Sequence, residues 1–290
     1  ACRAGASHPR TSSVASRKTL IEPLRMFAVA APGLEPLVAR ELTALGEQPR
    51  IEDGGVCWEG DFHSLMRANL WLHTASRVVV RMASFKATAF FELEKRAKIL
   101  PWKDFLPAGQ AAEFRVTSRK SRLYHSDAIA ERLRLWVTGS EAQPADGDDV
   151  QLFVARVVHD MVEISADASG ALLHQRGYRQ AVAKAPLRET LAAALLLGTG
   201  WTGESALLDP MCGSGTIAIE GALIARRIAP GIQRDFAFSR WPAFHAVAWK
   251  ALRAGARSGE RAAGVPLVAS DRDAGAVAAA TANARAPGVG

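Results

Sequence analysis

The sequence predicts an α/β protein: a parallel, doubly wound sheet in the C-terminal part, preceded by two small α+β modules. Three observations carry this. The apolar run Leu207-Leu208 ends in Asp209 and passes through a turn with two glycines, Gly213 and Gly215, into an Ala/Ile-rich helix from Thr216 to Ile228. Helix and strand alternate from Ala185 onward, as in a parallel sheet with crossover helices. Upstream of residue 170, short strands alternate with amphipathic helices and close in a hairpin.

The elements follow in order. Residues 1–25 carry Arg3, Arg10, Arg17 and Lys18, no acid before Glu22 and many Ser and Ala, with no apolar core of a secretory signal. They read as a disordered leader, an organelle-targeting peptide being the other reading. Met26 to Ala30 forms a strand, and Pro32-Gly33 turns it into a helix with Leu34, Leu37, Val38, Leu42 and Leu45 at helical spacing. A strand from Val56 to Glu59 follows, then a helix capped by Asp61 with Leu65, Met66, Leu70 and Trp71 inward. This first module is expected to span 26–70. The second, 71–170, holds a strand from Arg77 to Met82, a helix from Phe90 to Leu100 and a strand from Phe114 to Thr117. It continues with a helix from Asp127 to Val137 capped by Ser126, and an acidic linker from Gly139 to Asp149. Its last element is a hairpin, Val150 to Val158 and Val162 to Ala168, turning at His159-Asp160. Trp58, Trp71, Trp102, Trp136 and Trp201 read as core or interface rings. Residues 171–290 form the last domain, with Leu172 to Arg179 as the connector.

Composition narrows the function. Of 290 residues, 49% are hydrophobic and 22% charged, ordinary for a globular chain, and the net charge of +7 favours polyanionic partners. No apolar run is long enough to span a membrane. Cys2, Cys57 and Cys212 lie far apart, with no C-x-x-C and no paired histidines, so neither a disulfide framework nor a zinc site is supported and a cytoplasmic setting is expected. The glycine turn lacks both the G-x-G-x-x-G spacing of dinucleotide loops and the Gly-Lys-Ser/Thr of a triphosphate loop. Its glycines let the backbone approach a ligand closely, and the amides of Ser214, Gly215 and Thr216 are expected to point out of the helix N-terminus.

The run Asp209-Pro210-Met211-Cys212-Gly213-Ser214-Gly215-Thr216 resembles the S-adenosylmethionine loop of class I methyltransferases that act on RNA bases. Leu173 to Arg179, Ala185 to Ala194, Arg227-Ile228-Ala229-Pro230-Gly231 and Phe238-Ser239-Arg240-Trp241 extend the likeness. From about Met26 onward the chain is similar to the THUMP-domain RNA methyltransferases, nearest to the bacterial enzymes that methylate guanine N2 of 23S ribosomal RNA. The resemblance implies a ferredoxin-like module, a THUMP module for RNA, and an incomplete Rossmann-like class I methyltransferase domain. It also implies S-adenosylmethionine as cofactor, ribosomal RNA as partner, and no metal or membrane. Asp209 would answer the cofactor's ammonium, residues 210–216 would line it, and Asp271, closing the second strand, would bind the ribose hydroxyls. Capping of the helix Ala274 to Arg285 is the other role open to Asp271, although Asp273 suits it better.

Cys212 is expected to pack against the cofactor rather than attack a base, and Glu220 to be a surface or supporting carboxylate. Arg115, Arg119, Lys120 and Arg122, beside Tyr124 and His125, together with Arg176 and Arg179, are expected to contact RNA. A solvated basic loop is the plain alternative for the first four, and a tie between domains for Arg176 and Arg179. The family's N-P-P-[YF] element is absent: Asn69 and Asn283 are the only asparagines and neither precedes proline. These 290 residues are therefore expected to be a fragment with little methyl transfer of its own. A non-catalytic RNA-binding protein is the competing reading.

Overall fold

A computed structural model describes residues 23–107, 109–138, 150–180 and 187–290. The expected linker 139–149, most of the expected leader and the first two residues of the segment 185–194 lie outside the described residues. Regular structure begins earlier than expected, because Leu24 and Arg25 already belong to β1 (Leu24–Val29). Leu24, Met26 and Ala28 alternate into the core, so the buried face of the strand starts there.

The next elements are α1 (Glu35–Ala44), β2 (Arg50–Glu52), β3 (Gly55–Gly60), α2 (Phe62–Trp71) and β4 (Arg77–Lys86). They are followed by α3 (Phe90–Ala97), β5 (Ala111–Arg119), α4 (Ser126–Thr138), β6 (Val150–Val158) and β7 (Met161–Asp167). Asp61 caps α2 as expected, accepting from the Ser64 amide at 2.7 Å. Ser126 is the first residue of α4 rather than the residue before it. His159 and Asp160 both have positive φ, 51° and 63°, which is the turn whose twist suits a two-residue hairpin between β6 and β7.

All seven strands lie in one sheet, ordered β2-β3-β1-β4-β7-β6-β5. Phe27 of β1 sits opposite Val79 of β4, so the sheet crosses the expected boundary at residue 70 without a break. Among the described residues of this sheet, β5 and β6 are the one parallel pair. One face packs against Val38, Leu42, Leu65, Leu93, Ile129 and Leu133 of the helices. The other carries a small cluster of Phe27, Cys57 and Val79, with Val29 and Val154 against it. Trp136 departs from the expected core role and is 46% exposed.

The C-terminal part begins with α5 (Glu189–Gly198). A second sheet pairs β8 (Leu207–Asp209) with β9 (Leu267–Ala269) in parallel, and α6 (Thr216–Ala225) and α8 (Ala274–Arg285) follow those strands. Between them, residues 228–258, including α7 (Ala246–Ser258), pack onto the first sheet through side chains from Ile228 to Ala256. The Gly231 amide donates to Leu70 O at 3.0 Å and the Phe238 amide to Ala168 O at 3.1 Å. Trp241 Nε1 donates to Gln151 Oε1 at 2.8 Å, and its ring meets Phe105 edge-on at 4.9 Å. Phe236 and Phe238 stack on each other, and Trp249 meets both edge-on. Trp241 and Phe238, which meet Phe62 edge-on, thus join the two parts, and Trp249 packs behind them.

Candidate functional site

The glycine turn is built where β8 ends. Pairing continues past the strand ends: the Ser270 amide, one residue beyond β9, donates to Asp209 O, and the Cys212 amide, three residues beyond β8, donates to Ser270 O, both at 2.9 Å. The loop therefore cannot slide relative to β9. The Met211 amide donates to Asp209 Oδ1 at 3.2 Å, which orients that carboxylate at the strand end. Gly213 has φ +51° and Gly215 φ +83°. Asp271 receives the Gly213 amide at 2.9 Å and the Asp273 amide at 3.0 Å. Those two donors, Asp273 first, hold its carboxyl below the usual carboxylate range. Capping of α8 falls to Asp273, which accepts from the Gly275 amide at 2.8 Å.

Two expectations about the turn are corrected. Gly215 does not make room for a ligand: a Cβ there would stand 2.9 Å from the Ala280 Cβ of α8, so its bareness serves helix packing. Its amide is also not free, since it donates to Cys212 O at 2.8 Å. Gly213 is the glycine facing open space, with nothing within 4 Å of a Cβ built on it. Ser214 and Thr216 are buried, whereas Met211 is 84% exposed. Burial, then the nearby Asp209 and Asp271, push the Cys212 thiol up, which disfavours the thiolate a nucleophile would need.

Arg176 is not available to RNA. It is 3% exposed, donates to the carbonyls of Leu173 at 2.7 Å and His73 at 2.5 Å, and pairs with Glu220 at 3.4 Å. Glu220, expected as a surface or supporting carboxylate, is wholly buried on α6 and also accepts from Tyr178 Oη at 3.1 Å. Burial alone would raise its carboxyl; Arg176 and His73 outweigh that and hold it below the usual range. Arg179 is likewise committed, pairing with Glu189 at 2.8 Å and donating to Leu187 O at 2.8 Å and Thr216 Oγ1 at 3.2 Å. Arg176 ties the first sheet's side to α6, whereas Arg179 joins the connector to Leu187, Glu189 and Thr216 within the C-terminal part.

Arg115, Arg119, Lys120 and Arg122 are exposed, on and just beyond β5, the edge strand of the first sheet. Tyr124, 69% exposed, leans on His125 with ring centroids 4.0 Å apart. Arg115 sits in the middle of β5, and Arg119, Lys120 and Arg122 lie at and beyond its C-terminal end. The opposite end, where β6 begins, holds Gln151 against Trp241. A nine-residue strand such as β5 separates the two ends by roughly 25–30 Å.

Sequence reasoning missed Asn283 and Glu189. Asn283 Nδ2 donates to Ser214 O at 3.1 Å while its Oδ1 accepts from the Gln180 amide at 2.8 Å. The signal available was a lone amide in an alanine-rich helix. Glu189 was hidden because a helix-first acid usually caps rather than pairs.

Among the described residues no helix is long and apolar enough to cross a membrane, and no cluster of three His, Cys, Asp or Glu could hold a metal ion. Residues 176–290 match the family described as RMKL-like, methyltransferase domain, and residues 25–79 match the RlmL ferredoxin-like domain. The chain is 37% identical over 269 residues to a Synechocystis protein named "Putative RNA methyltransferase slr0064", covering 89% of this chain and 70% of that one. It is 36% identical to the ribosomal RNA large subunit methyltransferase K/L of Syntrophotalea carbinolica, over 92% of this chain but 40% of that one. The chain thus spans well under two thirds of the K/L enzyme. A crystal structure described as "SMU.472, a putative methyltransferase complexed with SAH" superposes with a TM-score of 0.84 at 30% identity, covering 93% of this chain and 74% of that one. On this likeness in sequence and fold, the chain belongs to the RMKL-like methyltransferase family.

Proposed function

We propose that the chain is the RNA-binding and cofactor-binding part of an S-adenosylmethionine-dependent methyltransferase acting on guanine N2 of large-subunit ribosomal RNA. The observation that carries it is the turn itself: two oriented carboxylates, Asp209 and Asp271, flank Gly213, the one loop position whose missing Cβ opens onto free space. An acid at each of two adjacent strand ends suits a ligand with an ammonium at one end and ribose hydroxyls at the other. The residues present therefore fit this cofactor, which when bound supplies an electrophilic methyl group. Asp209 would hold its amino-acid end and Asp271 its ribose, while Cys212 and Met211 would close the side of the site.

The guanine target rests on the likeness to the K/L enzymes, and the RNA contact on the exposed group Arg115, Arg119, Lys120 and Arg122 of the THUMP-like segment 71–170. Guanidinium groups suit phosphate oxygens. The base itself must be stacked and its amine hydrogens accepted, which falls to an Asn-Pro-Pro-aromatic element in the resembling enzymes. Neither asparagine here can serve: Asn69 is buried against Ser169, and Asn283 braces the turn. These 290 residues by themselves are thus expected to bind without transferring a methyl group.

Calorimetry with S-adenosylhomocysteine tests the reading. Wild type should bind, and Asp209→Asn or Asp271→Ala should each weaken binding about 10- to 100-fold, the usual worth of a charged hydrogen bond. Absence of binding by the folded wild-type protein would sink the proposal in favour of a non-catalytic RNA-binding protein.

A further inference from the structure

The connector from Leu172 to Gln180 attaches in two directions. Toward the first sheet, the Leu173 amide donates to Ser76 O at 2.9 Å and Arg176 reaches the carbonyls of Leu72 and His73. Toward the turn, Arg176 and Tyr178 grip Glu220 on α6. Arg179 donates to the Thr216 hydroxyl while Glu189 and Leu187 O fix its guanidinium. The Gln180 amide orients Asn283, which holds the Ser214 carbonyl. The turn's own bonds fix Gly213 and Gly215 but reach neither Ser214 O nor Thr216 Oγ1. Two glycines with positive φ on either side of a serine would otherwise sample several shapes.

We propose that this connector is a strap that keeps the glycine turn in its ligand-ready shape, with Arg179 acting through Thr216 and Asn283 acting through Ser214. Both are positioning residues. The inference rests on the turn being the donor site, where a loop ordered beforehand loses less entropy on binding. The strap is also continuous with the anchorage on the first sheet, so the part that would grip RNA and the turn that would grip the donor share one backbone segment.

Hydrogen exchange on the ligand-free protein tests it directly. Arg179→Met should speed exchange of the amides from Gly213 to Thr216 roughly tenfold and leave β6 and β7 unchanged. Asn283→Leu, on a different helix, should do the same around Ser214, and Arg179→Lys should restore part of the protection. In calorimetry, Arg179→Met should weaken S-adenosylhomocysteine and 5′-methylthioadenosine alike, about tenfold. That loss should vanish in a Thr216→Val background. Unchanged or uniformly faster exchange overturns the strap. So does a loss confined to S-adenosylhomocysteine, which would mean that Arg179 touches the carboxylate that methylthioadenosine lacks. If wild type binds neither ligand, the donor-site reading fails, and the exchange result still decides whether the strap orders the turn.

Discussion

Two glycines two positions apart do different work, and substitution separates them. At Gly215 an alanine would hold φ +83° and place its Cβ 2.9 Å from Ala280. Left-handed backbone costs about 1–2 kcal/mol for a non-glycine residue, and overpacking typically adds about 1–3. Gly215→Ala should therefore lose about 2–5 kcal/mol in urea unfolding. At Gly213 the Cβ meets nothing, so Gly213→Ala should lose only the backbone share, about 1–2 kcal/mol, yet block the ligand. Calorimetry on that variant should show S-adenosylhomocysteine binding weakened far beyond the stability change; binding at wild-type strength would place the ligand elsewhere. The need for glycine at both positions was legible in the sequence, because a strand, an acid and a tight turn leave few other choices. Which glycine faces the ligand was not, since Ala280 lies 65 residues downstream and helix packing leaves no local mark. Arg176 and Arg179 misled for a related reason. An arginine's spacing says nothing about whether carbonyls or solvent await its fork.

At the scale of elements, α6 carries the turn at one end and Glu220 one turn further in, and the buried pair with Arg176 anchors it to the end of α2. Removing one partner of such a pair is costlier than the pair is worth, because a charge is left buried alone. Arg176→Met should thus destabilise the protein by about 3–5 kcal/mol at neutral pH. How that cost varies with pH follows from Glu220. In wild type its carboxyl titrates below its unfolded value, so its contribution is complete above that value and is lost as pH falls through the folded one. Without Arg176, burial is the dominant influence and raises the carboxyl, so protonation relieves the variant as pH falls. The stability gap between wild type and Arg176→Met should therefore narrow as pH is lowered from neutral toward the carboxylate range, measured by urea unfolding at each pH. A constant gap would mean that the missing bonds to the Leu72, Leu173 and His73 carbonyls, not the unpaired charge, set the cost. Elements with strong local signals, such as α8 with its Asp273 cap and the β6–β7 hairpin with its two-residue turn, were legible nearly to the residue. The three-residue β2 was not, being too short to show a period.

Across the whole molecule, the two N-terminal modules expected from the sequence merge edge to edge in one seven-stranded sheet. That merger rests on β1 lying between β3 and β4, and on β4 pairing with β7, partners so distant along the chain that no local pattern announces them. The packing of Trp241 against Phe62, Phe105 and Gln151 was not legible either, since all three lie far upstream in the chain. The resulting arrangement sets Arg119, Lys120 and Arg122 at the end of β5 opposite the one where Trp241 meets Gln151, with Arg115 mid-strand, a placement that suits contact with RNA backbone rather than with the reacting base. Phosphate contacts position without reading sequence, and each neutralised phosphate releases counterions. Replacing Arg115, Arg119 and Lys120 together by alanine should weaken binding of a ribosomal RNA fragment at low salt. It should also flatten the slope of log affinity against log salt by about 0.7–0.9 for each phosphate no longer neutralised. Affinity for S-adenosylhomocysteine should stay at its wild-type value, because none of the three approaches the turn. Filter binding across a salt series checks the first outcome and calorimetry the second. An unchanged slope would show that these residues form a solvated basic edge, and that the RNA contact must be sought on another face.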